Sequence, residues 1–377
     1  MPNHKLFVHI KKLLHQTYKG ASRPKTYLVG TLAWIITGLF LGRHVQLWQI
    51  AVWVPLNIQL LSIVRRFERW VADPEVETKK FFKPFVLAMQ HSLGNETAYL
   101  IIDCTKAGKS CRTLLVGLAY HGTVLPIVWK TVKGSKGHVT GEFQKALLEQ
   151  VYDYLCHHKH VVVLGDAEFS NEQVIRWLRK VKWAFVLRFQ SSYLLQLDAG
   201  GEWKSTKSRY QAINLQAGQT HHWEQVAFTE SHKFADLTVT VQWDKDEKEP
   251  ICLVSTLAAS EQPHLIYDMR FWIETLFGNH KSRGFQLART HMTNPEHIDR
   301  LVLAMAIATC LVLGLGTHLI LIQDTKQVDR ADRRDLSLFQ LGWRWFFRLL
   351  ALKELDQFKM VFSWGFKLPP AGSQWAY

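Results

Sequence analysis

The chain has 377 residues, 47% of them apolar, and carries 46 Lys+Arg against 32 Asp+Glu for a formal net charge of +14. That length and apolar content exclude an intrinsically disordered chain and leave room for two or three domains with a real core. The charge excess suits a polyanionic partner, either nucleic acid or an acidic membrane surface. Five scattered cysteines point to a reducing, cytosolic-type compartment rather than a disulfide framework.

In chain order, the opening MPNHKLFVHIKKLLHQ lacks the long apolar core of a secretory signal. Residues 1–92 read as helical, with separate helices over 5–16, 27–40 and 56–70 and breaks at ASRPK (21–25) and ADPE (72–75). RRFERW (65–70) and KKFFKP (79–84) interleave cations with aromatics, as a DNA-backbone surface or a solvated amphipathic face does. The fifteen tryptophans can pack cores or stack on bases.

At Thr97 the pattern changes to three short apolar strands, TAYLIIDCTKAGK, CRTLLVGLAYHG and TVLPIVWKTV, which read as a meander. A helix over 141–157 follows, with Phe143, Leu147, Val151 and Leu155 on one face. Next come the strand VVVLGDAEF, a short helix over 171–181 and the strand WAFVLRF. Strands alternating with helices predict an α/β domain. Residues 190–260, including LDAGGEWKSTKSRYQAINL, HHWEQVAFT, LTVTVQW and ICLVSTL, read as a β-rich insertion. The helix YDMRFWIETLFGNHK comes after it. From about 295 the chain is helical again, ending in the unstructured-looking KLPPAGSQWAY. The run LVLAMAIATCLVLGLGTHLILI (301–322) contains no Asp, Glu, Lys or Arg and is long enough to span a bilayer. The large polar remainder favours a helix covered by its own protein.

The chemistry sits on two strands and one helix. Asp103 follows the apolar run 99–102, and Asp166 stands at the carboxyl end of its strand, where open α/β sheets place ligands. Either aspartate alone also fits a cap or a turn. Joined by Glu274, the three carboxylates repel one another unless cations occupy the site. Mg²⁺ takes such oxygen ligands, Mn²⁺ can substitute, and two ions can activate water and stabilise the leaving oxygen of a phosphodiester. On a regular helix Arg270, Glu274 and Lys281 fall at about 300°, 340° and 320° from Tyr267, one narrow stripe. Arg270 and Lys281 could hold adjoining phosphates and Tyr267 could donate to a phosphate oxygen, although the segment alone also fits a surface ion network. Lys106 touches a phosphate or the surface. Glu168 reads as a solvated turn acid, Cys156-His157-His158-x-His160 lacks the spaced pairing of a zinc site, and no complete Gly-rich phosphate loop occurs.

The string Tyr267, Arg270, Glu274, Lys281 matches the Tyr-x2-Arg-x3-Glu-x6-Lys signature of bacterial insertion-sequence DDE transposases of the cut-and-paste group. IIDCTKAGK and VVVLGDAEF resemble that group's first and second acidic motifs. The resemblance covers roughly residues 95–290. It implies an RNase H-like catalytic core with a β-rich insertion, flanked by helical N- and C-terminal regions. The divisions would be a helical DNA-end-binding region at 1–92, core at 93–190, insertion at 191–260, the glutamate helix at 261–294 and a helical region at 295–377. Asp103, Asp166 and Glu274 would be the catalytic, Mg²⁺-binding residues. Tyr267, Arg270, Lys281 and Lys106 would contact DNA, and Trp243 or Trp223 would stack on a flipped base. The partners implied are double-stranded DNA with terminal inverted repeats and target DNA, bound by a homodimer in the cytoplasm, nucleoid-associated, with no membrane. The alternatives are a metal-dependent nuclease without strand transfer and a catalytically inactive, transposase-derived DNA-binding protein.

Overall fold

Strands that are apolar throughout need cover on both faces, and Val161–Gly165 (β4) is one, with all five residues buried. The computed structural model describes residues 2–18, 23–134 and 139–355. The helices Pro2–Thr17 (α1), Thr26–Gly42 (α2), Leu47–Ala51 (α3), Leu60–Ala72 (α4) and Thr78–Leu93 (α5) precede the strands Ala98–Lys106 (β1), Cys111–Tyr120 (β2) and Thr123–Lys133 (β3). Helix Gly141–Leu155 (α6), β4, helix Glu172–Lys180 (α7) and strand Ala184–Phe189 (β5) follow. Then come Leu194–Gln196 (β6), Lys204–Ser205 (β7), helix Thr206–Ala212 (α8), Thr220–Phe228 (β8), Phe234–Gln242 (β9) and Ile251–Ser255 (β10). The last helices among the described residues are Pro263–Tyr267 (α9), Trp272–Gly278 (α10), Pro295–Leu321 (α11) and Leu338–Ala351 (α12).

Among the described residues the strands form one ten-stranded sheet in the order β3-β2-β1-β4-β5-β10-β9-β8-β6-β7. β1, β2 and β3 are an antiparallel meander, while β4 runs parallel to both β1 and β5. Helices α6, α10 and α11 pack against β3, and α11 also packs on α2, α4, α5 and α12.

Helix starts follow local chemistry. Thr140, Asn171, Asn294 and Ser337 each accept a backbone N–H in the first turn of α6, α7, α11 and α12, and Pro295 occupies the first turn of α11. Leu147, Val151 and Leu155 form the buried face of α6 as their spacing predicts, while Phe143 is half-buried.

Several sequence expectations change. The stretch read as strand-like around 204–212 is mostly helix, because Ser205 caps α8 by accepting from the Ser208 N–H. The helix expected from 56 starts at Leu60. The aromatics of RRFERW and KKFFKP are core: Phe67, Trp70, Phe81 and Phe82 are buried, leaving the cations as an exposed face without rings for stacking. The strands of the β-rich segment after β5 continue the core sheet, since β10 pairs with β5. The tail KLPPAGSQWAY lies outside the described residues.

The apolar run at 301–322 belongs to α11, and its apolar window is buried entirely inside the protein. Each charge at the start of this helix is engaged by protein. Asp299 accepts from the Thr131 N–H at 2.7 Å and faces Lys130 at 3.1 Å, while Arg300 donates to the carbonyls of Val71 and Val76. Covering α11 lets it approach α12 backbone to backbone: a Cβ on Gly342 would strike the Val312 carbonyl oxygen, and one on Gly316 the Leu338 carbonyl oxygen.

Candidate active site

Parallel pairing aligns the acids. Ile102 of β1 is in register with Gly165 of β4, so the next residues, Asp103 and Asp166, stand abreast where β4 ends and β1 runs on to Lys106. Adjacent strands are about 4.8 Å apart. Each carboxylate is tethered by backbone: Asp103 Oδ1 accepts the Cys104 N–H at 2.6 Å and Asp166 Oδ1 accepts the Glu168 N–H at 2.9 Å. Gly165 permits the tight turn after β4, because a Cβ there would sit 2.9 Å from the Phe169 Cβ.

The segment carrying Glu274 is helical but irregular. It passes from α9 through a 3₁₀ turn at Asp268–Phe271 into α10, then widens into a π turn at Asn279–Arg283. The uniform stripe expected from Tyr267 to Lys281 is therefore replaced by a path of changing pitch. The π turn is held by Arg283, whose guanidinium donates to the carbonyls of Glu274 and Thr275, and by the Phe285 N–H on the Asn279 carbonyl.

Arg270 joins the acids: Nη2 lies 2.7 Å from Glu274 Oε1 and Nη1 lies 3.4 Å from Asp103 Oδ2. Its guanidinium also covers the Phe271 ring at 4.2 Å, and its buried Nε has no hydrogen-bond partner. Burial pushes the Asp103 carboxyl up to about 6; the charges of Asp166 and Glu274 add to this, while the Cys104 N–H and Arg270 oppose it. The three predicted acids thus share one electrostatic field. Burial lowers the Lys281 ammonium, with the Asp103 charge opposing and the Lys106 charge reinforcing the shift.

Tyr267 is 2% exposed, so its phenol lies inside the site rather than on an open rim; burial raises its pKa, and Arg270, Arg188, Asp166 and Asp103 all act on it. Trp243 sits in the turn after β9, with its indole N–H donating to the Glu247 carbonyl at 2.9 Å and its ring edge-to-face with Tyr210. Trp223 is half-buried on β8 against His221. Glu168 is not a solvated turn acid: its side chain is 10% exposed and accepts the Val139 N–H at 2.7 Å.

The sequence reading missed Arg188. Leu187 pairs with Gly165, so exposed Arg188 stands beside Asp166 at the carboxyl end of the third parallel strand. The rule that singled out Asp166, a charge ending an apolar strand, applies equally to Arg188 in WAFVLRF.

Asp103, Asp166 and Glu274 are hard oxygen donors, and burial with the charges of Asp166 and Glu274 raises the Asp103 carboxyl despite Arg270, so a divalent cation would suit these donors. With Arg270 between Asp103 and Glu274, no three acidic, His or Cys side chains among the described residues converge at ligating distance.

The Asp103 shift has a stability consequence with a definite sign. A folded-state pKa above the ordinary value means that stability is present at low pH and lost as pH rises through about 6. In metal-free buffer at pH 7, Asp103→Asn should therefore melt above wild type, by on the order of 2 kcal/mol. The difference should vanish near pH 4. Thermal melts across that range check it, and a lower melting temperature for the variant at pH 7 would contradict the assigned burial cost.

A family model described as a transposase DDE domain matches residues 87–311, well over half of the chain. A cryo-EM structure of a piggyBac transposase synaptic complex with hairpin DNA is similar at TM-score 0.44 and 10% identity, covering 94% of this chain and 78% of that one. No curated protein matches the chain.

Proposed function

The chain belongs to the transposase DDE domain family, and from that premise we propose that it is a DNA transposase of the bacterial insertion-sequence type, acting in the cytoplasm on the nucleoid. It binds terminal inverted repeats as a homodimer, hydrolyses a phosphodiester at each end and joins the freed 3′-OH to target DNA. The observation that carries this reading is the alignment of Asp103 and Asp166 on adjacent parallel strands with Glu274 in the same field. The order β3-β2-β1-β4-β5, a meander followed by two parallel strands, supports an RNase H-like core. The core comprises residues 93–190 and 261–294, with 191–260 as its insertion. Helices within 1–92 take the DNA end.

Members of this family generally use divalent metal ions. Here Asp103, Asp166 and Glu274 would hold Mg²⁺, or Mn²⁺ in its place, as a pair of ions. The bound metal would supply Lewis-acid stabilisation and a more acidic water. Arg270 neutralises Asp103 and Glu274 in the metal-free site. With DNA present, its planar guanidinium turns to oxygens of the scissile phosphate, which match its paired donors. Lys281 and Lys106 hold adjoining phosphates as point charges, Arg188 faces the phosphate on the Asp166 side, and Tyr267 orders the site from beneath. Mixing the protein with Mg²⁺ and DNA bearing the inverted repeats that flank its gene should yield 3′-OH nicks and target-joined products. Nicks without joined products would leave only a nuclease.

Arg270→Lys keeps the charge but loses the fork, and should lower nicking by about 10²-fold. Lys281→Ala should lower nicking without moving the Mg²⁺ midpoint. If these residues serve only as helix ion-pair partners, their loss should cost a few tenths of a kcal/mol, on the scale of about 0.2–0.5 kcal/mol per pair, and leave nicking normal. Parallel nicking assays and melts separate the two cases.

A further inference from the structure

Two side chains outside the acidic triad connect its aspartates. Glu168 Oε2 lies 3.8 Å from Arg112 Nη2, and both side chains are largely buried, at 10% and 19% exposure. From Glu168 the connection runs to Asp166: the Glu168 N–H donates to Asp166 Oδ1, fixing the carboxylate that follows β4. From Arg112 it runs to Asp103. Arg112 on β2 pairs with Lys106, and that ladder runs back along β1 to Asp103, whose Oδ1 accepts the Cys104 N–H. The same Glu168 anchors the loop before α6 through the Val139 N–H, and its carbonyl accepts from Asn171, whose amide also donates to Gln144. A carboxylate this enclosed has few solvent partners, so its fixed partners are Arg112 and the Val139 N–H.

We propose that the Glu168–Arg112 pair is a strut that sets the separation and orientation of Asp103 and Asp166, and so tunes how tightly they hold a divalent cation. Both are positioning residues. The strut ties β2, which carries Arg112, to the loop after β4, which carries Asp166, across the intervening β1. The ladder between β1 and β2 continues past Asp103 to Lys106, whereas the pairing of β4 stops at Gly165, so without the strut the Asp166 loop can move away from Asp103 while the sheet stays intact. This inference rests on the assignment of the two aspartates as metal ligands.

The test uses the full-length protein, its Glu168→Gln, Arg112→Gln and double variants, and Glu168→Asp as the conservative change. Two readouts are followed against Mg²⁺ concentration: the metal-induced rise in melting temperature, which needs no catalysis, and nicking of an end duplex. Each single Gln variant should need about tenfold more Mg²⁺ for half its effect on both readouts, the usual size for outer residues that orient ligands. The double variant should be no worse than either single, because both break one strut. Glu168→Asp should recover part of the loss. End binding should stay at the wild-type level. A midpoint within about twofold of wild type in the singles, or additive losses in the double, would overturn the strut. A fold defect alone would appear as a lower melting temperature and weaker end binding with the metal midpoint unmoved, which also overturns it. If the wild type shows no Mg²⁺ response in either readout, the metal site itself fails, an outcome distinct from failure of the strut.

Discussion

Asp103→Asn, Asp166→Asn and Glu274→Gln should each reduce end nicking by about 10³-fold or more, equivalent to about 4 kcal/mol of barrier, while specific end binding stays largely intact. All three changes keep side-chain size and remove a charge, so they isolate the electrostatics of the site from its packing. Asp103 within β1 and Asp166 just past β4 are half-buried and Glu274 is exposed on α10, far in sequence from the basic face of α4. DNA affinity should come mostly from that kind of surface, where Arg65 and Arg69 are exposed. Gel shifts and nicking assays on the same samples measure both properties. Near-normal nicking by any one variant removes that residue from the triad. Loss of end binding in step with nicking would point to a fold or docking defect instead. Chelation should abolish wild-type nicking, and Mg²⁺ or Mn²⁺ should restore it. Asp103→Asn is the most informative of the three, because the same variant is expected to melt higher at neutral pH in the absence of metal, so lost activity with gained stability cannot be explained by unfolding.

Gly342→Val should destabilise the protein by about 3 kcal/mol or more. At this position α12 lies against α11 with backbone on backbone: any Cβ meets the Val312 carbonyl oxygen, and the Gly316 amide nitrogen is 2.9 Å away. No flexible side chain can move aside, so the two helices must separate. Separation would open a core that includes Phe285, Phe339 and Trp343, whose rings pack within 5.2 to 6.0 Å of one another. Gly30→Ala is the matched control. It sits inside α2 with nothing within 4 Å of the added Cβ, and should gain up to about 1 kcal/mol from helix propensity. Urea melts of the two variants should move in opposite directions. A Gly342→Val protein as stable as wild type would mean that α11 and α12 are not in the contact described, and the covered placement of the apolar helix would need revision.

The sequence determined the local elements and the chemical cast by itself. Alternation and apolar runs marked β1 to β5, apolar spacing marked the face of α6, and charges following apolar runs marked Asp103 and Asp166. These signals are short-range: a strand or helix face is set by a few neighbouring residues. The spacing from Tyr267 to Lys281 also marked one side of the site, although a uniform helix was assumed where the pitch changes at both ends. Tertiary structure decided the rest. Only strand register sets Asp103 beside Asp166 and brings Arg188 up to them, because pairing across a parallel sheet joins residues tens of positions apart. Only packing shows that the cation-flanked aromatics of α4 and α5 are core, since the same amphipathic pattern fits a base-stacking surface. Only burial decides α11, whose composition suits lipid as well as protein and whose cover comes from α2, α4, α5, α12 and β3. Glu168 makes the same point at one residue. Its position two after Asp166 suggested a solvated turn, and its hold on Val139 and Arg112 exists only because the chain brings the loop before α6 and strand β2 back to it.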